Sequence, residues 1–248
     1  MSGHSKWATI KRKKAKVDAQ RGKLFTRLAR EIMVAARRGG KDPDGNMQLK
    51  TAIQRAKEAN IPNENIMRAI QKGAGELGGE NYEEFNYEGY GPGGVAVMIE
   101  IMTDNRNRTA SEIRYLFSRN GGSLGESGCV AWMFQEKGLI VVEKANCKYS
   151  EDDLMLLSIE TGAEDFKVSD DESYEITTEP GDMMTVKESL EKSGVEIAYA
   201  EVTKLPLNTV KLEGQEAEQM VKLIDALEEH DDVQNVYTNF ETDMLADM

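Results

Sequence analysis

The chain has 248 residues, of which 30% are charged and 6% aromatic, and its formal net charge at pH 7 is −13. This length suffices for two or three domains with cores of their own. No run approaches the roughly 18–20 apolar residues of a membrane helix, and the N-terminus lacks the apolar stretch of a secretion signal, so we expect a cytoplasmic protein. Cys129 and Cys147 have no metal-type spacing and are expected to be reduced thiols.

Charge is unevenly distributed along the chain. Residues 1–38 carry twelve Lys and Arg against two acidic residues, a local charge of +10, whereas residues 79–248 carry −24. An acidic chain that concentrates positive charge at one end is expected to present that end to a polyanion. We therefore predict nucleic acid as the partner, either DNA or ribosomal RNA and in the latter case the ribosome itself. No membrane partner and no small-molecule ligand are predicted.

Residues 1–79 predict a basic helical domain followed by a glycine-rich linker. The opening segment has only three apolar residues at roughly helical spacing, namely Trp7, Ile10 and Val17. Such a thin stripe predicts order only where the segment packs. Residues 23–38 have apolar side chains at i, i+3 and i+4 and predict a well-formed helix. Two further helices are predicted over 49–59 and 63–72, with Asn63 as the N-cap of the second.

Beyond residue 80 the hydrophobic period changes from 3.6 to 2. A strand at 95–102 precedes a helix at 105–120, in which Thr109 and Glu112 have the spacing of a capping box. The remaining chain predicts, in order, strands 130–134 and 139–142, helix 150–161, strands 163–168 and 173–178, helix 182–193, strands 195–203 and 207–212, helix 215–229 and strand 233–239. Two strand–helix–strand units form a ferredoxin-like domain, and this order contains four. The order alone allows either tandem domains or one domain inserted into the other.

The basic end predicts the nucleic-acid interface. The candidate residues are Lys6, Trp7, Lys11, Arg12, Lys13, Lys14, Lys16, Arg21, Lys23, Arg27 and Arg30. Because the lysines surround the predicted helix, contact is expected mainly with phosphate, and no helix-turn-helix with a recognition helix is evident. A purely solubilising tail is disfavoured, because the arginines continue onto an amphipathic helix and Trp7 is available for stacking.

A second polar surface is predicted at the junction formed by Asn105, Arg106, Asn107 and Arg108. A helix N-terminus with two arginines suits phosphate or carboxylate, although capping with solvated arginines is equally compatible with the sequence. A remote alternative is an enzyme that acts on a small phosphorylated substrate at this junction.

Catalytic motifs are absent from the sequence. His4 and His230 are expected to be exposed and non-catalytic, and no Gly-x-Ser-x-Gly or His-Glu-x-x-His occurs. The glycine-rich run 89–94 precedes a strand instead of joining a strand to a helix, so it is interpreted as a turn. The acidic stretches lack the spacing of a metal-binding loop. The prediction is a protein that is not an enzyme and has no metal and no cofactor.

Eight motifs together resemble the YebC/PmpR family. They are GHSKWATI at 3–10, RGKLF at 21–25, AAR at 35–37, ANIP at 59–62, YEGYGPGG at 87–94, TDNRNRT at 103–109, GGSLGESG at 121–128 and VAWMF at 130–134. They occur in order over the first 135 residues, and a weaker pattern continues to the end. A set of this size is far more specific than a lone glycine motif.

The resemblance implies a multidomain α+β fold, with an N-terminal helical domain followed by two ferredoxin-like α+β domains, one inserted in the other. It assigns 1–79 to the helical domain and linker, 80–135 plus 206–248 to the middle domain, and 136–205 to the acidic insertion. Members of this family are described as probable DNA-binding transcriptional regulators, and some relatives as translation factors that act on the ribosome. No catalytic residue is carried over. We expect a non-enzymatic regulator of gene expression that binds DNA, with a translation factor that binds ribosomal RNA as the alternative.

Overall fold

Three helices open the part of the chain that the computed structural model describes, which comprises residues 21–77, 82–168 and 172–242. They are α1 (Arg21–Gly39), α2 (Met47–Glu58) and α3 (Asn63–Gly73). Asn46 caps α2 by accepting a hydrogen bond from the Leu49 amide at 3.1 Å, and its side-chain amide donates to the Ala35 and Gly40 carbonyls at 2.8 Å each. One buried asparagine thus fixes the turn between α1 and α2.

The helical core combines leucine and isoleucine side chains with several alanines. It contains Leu28, Ile32, Ala35, Ala36, Leu49, Ala52, Ala56, Ile66 and Ile70. Alanines at the contact allow helix axes to approach closely, which compensates for the few aromatic residues. The prediction that Asn63 caps α3 is wrong. Pro62 occupies the cap position and provides no side-chain cap, so Asn63 is the first helical residue.

The first sheet is antiparallel and has the strand order β3-β1-β2-β9. Its strands are β1 (Glu83–Tyr90), β2 (Ala96–Thr103), β3 (Ser123–Leu124) and β9 (Val233–Thr238). Two helices, α4 (Arg106–Arg119) and α7 (Gly214–Glu228), share a core with one face of it. A short parallel pair, β8 (Val210–Lys211) and β10 (Phe240–Glu241), lies beside them. Side chains of a strand point alternately to its two faces, and in β2 the residues buried on the helix side are Val97, Ile99 and Ile101.

The second sheet lies between β3 and β8 in the chain. Its strands are β4 (Phe134–Glu143), β5 (Asp165–Val168), β6 (Ser173–Thr178) and β7 (Tyr199–Pro206), and its helices are α5 (Glu151–Glu160) and α6 (Met183–Lys192). The antiparallel order β5-β6-β4-β7 is that of a split βαβ arrangement. The first and last strands, β4 and β7, pair from Phe134 and Pro206 to Val141 and Tyr199.

The predicted α+β class, with an N-terminal helical region followed by antiparallel sheet domains, is confirmed. In the first sheet, however, the hairpin of β1 and β2 precedes α4, and β1 was not predicted as a separate strand. Predicted strand 207–212 is reduced to the two residues of β8. Predicted strand 195–203 begins only at Tyr199, because Val195 closes the end of α6 by donating to the Leu190 carbonyl at 3.0 Å after Gly194 at φ 84°.

Predicted strand 130–134 is also wrong, and a buried carboxylate is the reason. The Glu88 side chain accepts hydrogen bonds from the amides of Gly128 at 2.7 Å and of Val130 and Ala131 at 2.8 Å each. These bonds turn the chain into a 3₁₀ turn over Ala131–Met133 instead of a strand. They also lower the pKa of Glu88, although burial alone would raise it.

Candidate nucleic-acid interface

Of the eleven residues predicted to bind nucleic acid, the structure describes the side chains of three. Seven lie outside the described residues, namely Lys6, Trp7, Lys11, Arg12, Lys13, Lys14 and Lys16. Arg21 is the first residue of α1, but its side chain is not described. Lys23, Arg27 and Arg30 lie on α1 and contact other parts of the chain.

These three residues, the basic stripe, recur at i, i+4 and i+7 and so lie on one side of α1. Lys23 Nζ donates to the Glu229 carbonyl at 3.0 Å, and Arg27 Nη2 donates to the Glu228 carbonyl. Arg30 Nη1 donates to the Asp231 carbonyl at 2.5 Å. The whole stripe therefore binds one short segment, residues 228–231, at the C-terminal end of α7.

The end of α7 suits cations for a general reason. The last carbonyls of a helix have no intrahelical donor and lie at the negative end of the helix dipole. The carboxylates of Glu228 and Asp231 add negative charge next to Arg27. Burial nevertheless lowers the pKa of Arg27, an effect that these carboxylates oppose. The contact anchors the helical region to the first sheet and its helices.

Asp232, which directly follows this segment, is the most heavily hydrogen-bonded carboxylate of the described network. Its side chain is only 3% exposed. Oδ1 accepts from Arg30 at 3.1 Å, and Oδ2 accepts from Arg108 at 2.9 Å. The hydroxyls of Thr103 and Thr109 donate to Oδ2 at 3.0 and 2.8 Å. Burial would raise the pKa of Asp232, but the hydrogen bonds and the Arg108 charge outweigh it and hold that pKa below its usual value.

The second predicted surface, Asn105 to Arg108, thus meets the first one at Asp232. Asn105 is the N-cap of α4 and accepts from the Arg108 amide at 3.1 Å, so the predicted capping box at Thr109 is wrong. The Arg108 side chain bonds Asp232 and, at 3.0 Å, Asp104. Because the protein's own carboxylates already bind the Arg108 guanidinium, the arrangement favours an internal ion-pair network over a phosphate site at this helix end.

The other two residues of the predicted surface face outwards. Arg106 is 62% exposed, with its guanidinium 4.3 Å from the Phe85 ring centroid and 3.9 Å from the Glu83 carboxylate. Asn107 is exposed, and its carbonyl accepts from Ser111. Stacking on an aromatic ring preorganises the Arg106 cation.

His230 is less exposed than predicted. Its side chain is 13% exposed, with Nε2 at 2.9 Å from Glu112 and Nδ1 accepting from the Asp232 amide at 3.1 Å. Glu112, His230 and Asp232 lie close enough together for metal ligation. However, Asp232 already accepts hydrogen bonds from two arginines and two threonines, and metal binding would leave the arginine charges unpaired. The cluster is therefore a hydrogen-bond network in this chain, and we assign no metal to it.

A cleft of about 490 Å³ lies where α1 and α2 face both sheets, and sequence reasoning did not predict it. Arg55 of α2 crosses it, with Nη1 at 3.1 Å from Glu31 and Nη2 at 2.7 Å from Glu201 on β7. Burial raises the pKa of Glu31, and the Arg55 charge opposes this shift. Lys204 of β7 pairs with Glu100 of β2 nearby. These ion pairs join the helical region and the two sheets to one another.

Two family descriptions together match nearly the whole chain. "TACO1/YebC protein N-terminal domain" matches residues 5–76, and "TACO1/YebC second and third domain" matches residues 82–240. The chain belongs to the TACO1/YebC family. The predicted resemblance to the YebC/PmpR family is thereby confirmed.

Individual relatives of the family cover almost the whole chain. A "probable transcriptional regulatory protein" of Pelotomaculum thermopropionicum is 75% identical over 241 residues, which are 97% of this chain and 99% of that protein. A protein of the same name from Desulforamulus reducens is 60% identical, with the same coverage. The crystal structure of a conserved hypothetical protein, Aq1575, from Aquifex aeolicus has a TM-score of 0.77 at 54% identity and covers 92% of this chain and 93% of that one. No described helix is long and apolar enough to span a bilayer.

Sequence reasoning missed the internal use of the basic stripe. The i, i+4, i+7 spacing of its three cations was visible, and so was the acidic run Glu228-Glu229-His230-Asp231-Asp232 at the end of a predicted helix. Cations favour helix C-termini, so the two segments were candidate partners. What the sequence could not supply was their adjacency, since about 200 residues separate them.

Proposed function

We propose that the chain is a non-enzymatic regulator of gene expression that binds nucleic acid through its basic N-terminal segment. The observation that carries this proposal is the charge distribution, with +10 on residues 1–38 and −24 on residues 79–248. The relatives named as transcriptional regulatory proteins support a regulatory role, and that name favours DNA as the partner. Such a regulator acts in the cytoplasm, where chromosome and ribosomes are both accessible.

The proposed contact falls on the eight candidates from Lys6 to Arg21. The basic stripe of Lys23, Arg27 and Arg30 is engaged at the end of α7, so its share in nucleic-acid binding requires exchange of those internal bonds. The stripe instead anchors the base of the basic segment to the body of the protein. This division leaves seven candidate cations for contact with phosphate, since the eighth candidate is Trp7.

The described helices give little support to base reading. Only four residues separate α2 from α3, a length that a helix-turn-helix uses. On the exposed face of α3, however, Arg68 pairs with Glu64 at 3.2 Å, and Met67 is exposed beside them. This ion pair engages the arginine of α3, the type of side chain that most often reads guanine.

A second candidate function is that of a translation factor that binds ribosomal RNA, and the acidic body favours it. A body of charge −24 is repelled by a flanking duplex, whereas a basic arm can enter a folded RNA and leave the body outside. A protein that contacts phosphates without reading bases can bind folded RNA as well as duplex DNA.

The test is the salt dependence of binding. Lys11, Lys13 and Lys14 are changed together to Ala, and affinity for a duplex DNA and for a folded ribosomal RNA fragment is measured across salt concentrations by fluorescence anisotropy. Each lost phosphate contact removes about 0.9 from the log–log slope on duplex DNA, so the slope should flatten by roughly two to three units.

The matched control changes the exposed lysines Lys50, Lys57 and Lys72 of α2 and α3 to Ala, which removes the same charge elsewhere. It should leave the slope within about one unit of the wild-type value. Equal flattening by the two variants would locate the contact on the helical region in general and contradict the proposed segment.

A further inference from the structure

The solvent side of α5 is unusually apolar for an exposed helix. Eleven large apolar side chains are exposed among the described residues, and three of them lie on this ten-residue helix: Met155, Leu156 and Ile159, which are 36%, 56% and 56% exposed. The other described helices carry at most one each. Apolar residues on all sides are typical of a helix that is covered on all sides.

The three residues form one continuous surface, the apolar face. Ile159 lies four residues after Met155 and three after Leu156, so both pairs are neighbours on the helix. The opposite side is already used, because Leu154 and Ser158 are buried against the sheet. The apolar face therefore makes no contribution to the core of its own domain.

Exposed carboxylates flank this face at both ends of α5. Glu151, Asp152 and Asp153 occupy the first turn of α5, Glu160 ends it, and all four are exposed. None of the four has an ion-pair partner within 4.0 Å among the described residues. The surrounding residues 136–205 hold 18 Asp and Glu against 7 Lys, a charge of −11. An apolar strip in an acidic rim is complementary to an apolar strip in a basic rim.

We infer that the apolar face of α5 docks a basic amphipathic helix of a protein partner. In such a helix, Leu, Ile or Met side chains at i, i+3 and i+4 would cover Met155, Leu156 and Ile159, and flanking Lys or Arg would pair with the carboxylates of the rim. The rim carboxylates steer such a partner and reject acidic ones. The inference does not depend on the proposed nucleic-acid contact, which lies in residues 6–21.

The experiment uses the full chain and a fluorescently labelled synthetic peptide of about four helical turns, with Leu at i, i+3 and i+4 and Lys elsewhere. A peptide of identical composition in scrambled order serves as its control. The amphipathic peptide should bind one to one and at least about tenfold more tightly than the scrambled one. Equal affinity for both peptides would reduce the interaction to charge and overturn the inference.

The matched variants are Leu156→Gln with Ile159→Gln on α5, and Met47→Gln with Met67→Gln in the helical region. All four residues are exposed, so both double variants should keep the wild-type circular dichroism spectrum. The first should weaken amphipathic-peptide binding about tenfold, and the second should leave it unchanged. Equal effects would overturn the assignment to α5.

Two further measurements identify a different occupant. Sedimentation equilibrium that shows a dimer, lost with Leu156→Gln and Ile159→Gln, would mean that a second copy of the chain covers the face. Peptide binding that becomes about tenfold tighter on removal of residues 1–20 would identify the chain's own basic segment as the occupant. Either result would contradict the inferred partner helix.

Discussion

At the scale of single residues, Asp232 connects what the sequence presents as two unrelated polar surfaces. Arg30 reaches it from the helical region, and Arg108 reaches it from the start of α4. A buried carboxylate is costly unless each lone pair is used, and here four side chains use them. Asp232 therefore fixes the positions of α1, α4 and β9 relative to one another.

Replacement of Asp232 by Asn should destabilise the fold by about 3 kcal/mol, because Arg30 and Arg108 lose their shared counter-charge in a buried site. Urea unfolding followed by circular dichroism measures the change. The nearby exposed Glu229→Gln, whose contact to Lys23 uses only the backbone carbonyl, should change stability by no more than about 0.5 kcal/mol. Similar losses in the two variants would deny Asp232 a special role.

Acid should abolish the difference between Asp232→Asn and the wild type. The pKa of Asp232 is lowered in the fold, so its stabilising effect is complete above the unfolded value of about 3.9 and is lost as pH falls through the lower folded value. The urea midpoints of the two proteins, measured from about pH 7 downwards, should therefore begin to approach each other below about pH 4 and continue to do so as pH falls further. A gap that stays constant with pH would indicate a role independent of the carboxylate charge.

At the scale of elements, a helix or strand was predicted correctly where its own apolar residues determine it, and incorrectly where other residues do. The helices α1 and α2 and the strand β2 followed from periodicity, because their apolar residues face cores that each element helps to build. The errors arose where distant polar groups decide. Glu88, for example, turns residues 131–133 away from a strand. The internal use of the basic stripe was inaccessible for the same reason.

Substitution of Lys23, Arg27 and Arg30 together by Ala should release the end of α7 without unfolding α1, whose core residues remain. Amides of residues 229–233 should exchange hydrogen about tenfold faster, since the carbonyls of their segment lose three donors. Hydrogen exchange with mass spectrometry gives the rates. The control at Lys50, Lys57 and Lys72 should not alter them, and unchanged exchange in the first variant would show that the stripe does not hold α7.

At the scale of the whole molecule, opposite charges are kept at opposite ends of the chain while ion pairs join its parts. Arg55 joins α1 to β7 through Glu31 and Glu201, and Lys204 joins β7 to β2 through Glu100. Because these cations of the body are already paired, the acidic body offers little to a polyanion. The proposed contact is confined to the N-terminal segment.

Binding to DNA should be measurable but poorly specific. Specific recognition exceeds non-specific binding by about 10³-fold or more, and we expect the preference for any promoter fragment over random duplex to fall well short of that. Competition in electrophoretic mobility shifts should show folded ribosomal RNA displacing the DNA. A footprint at one operator that survives excess RNA would instead establish a sequence-specific transcriptional regulator.

The pairing of β4 with β7 has a topological consequence. The chain enters the second sheet at Phe134 and leaves it at Pro206, and these two residues face each other across the strand pair. Opposed residues of antiparallel strands lie only about 5 Å apart, so a short link can close the gap at little entropic cost. The chain therefore enters and leaves the second sheet at neighbouring points, the paired ends of β4 and β7. We expect a short link between residues 134 and 206 to leave the hydrogen bonds among β1, β2, β3 and β9 in place, with loss of the ion pairs of Glu201 and Lys204.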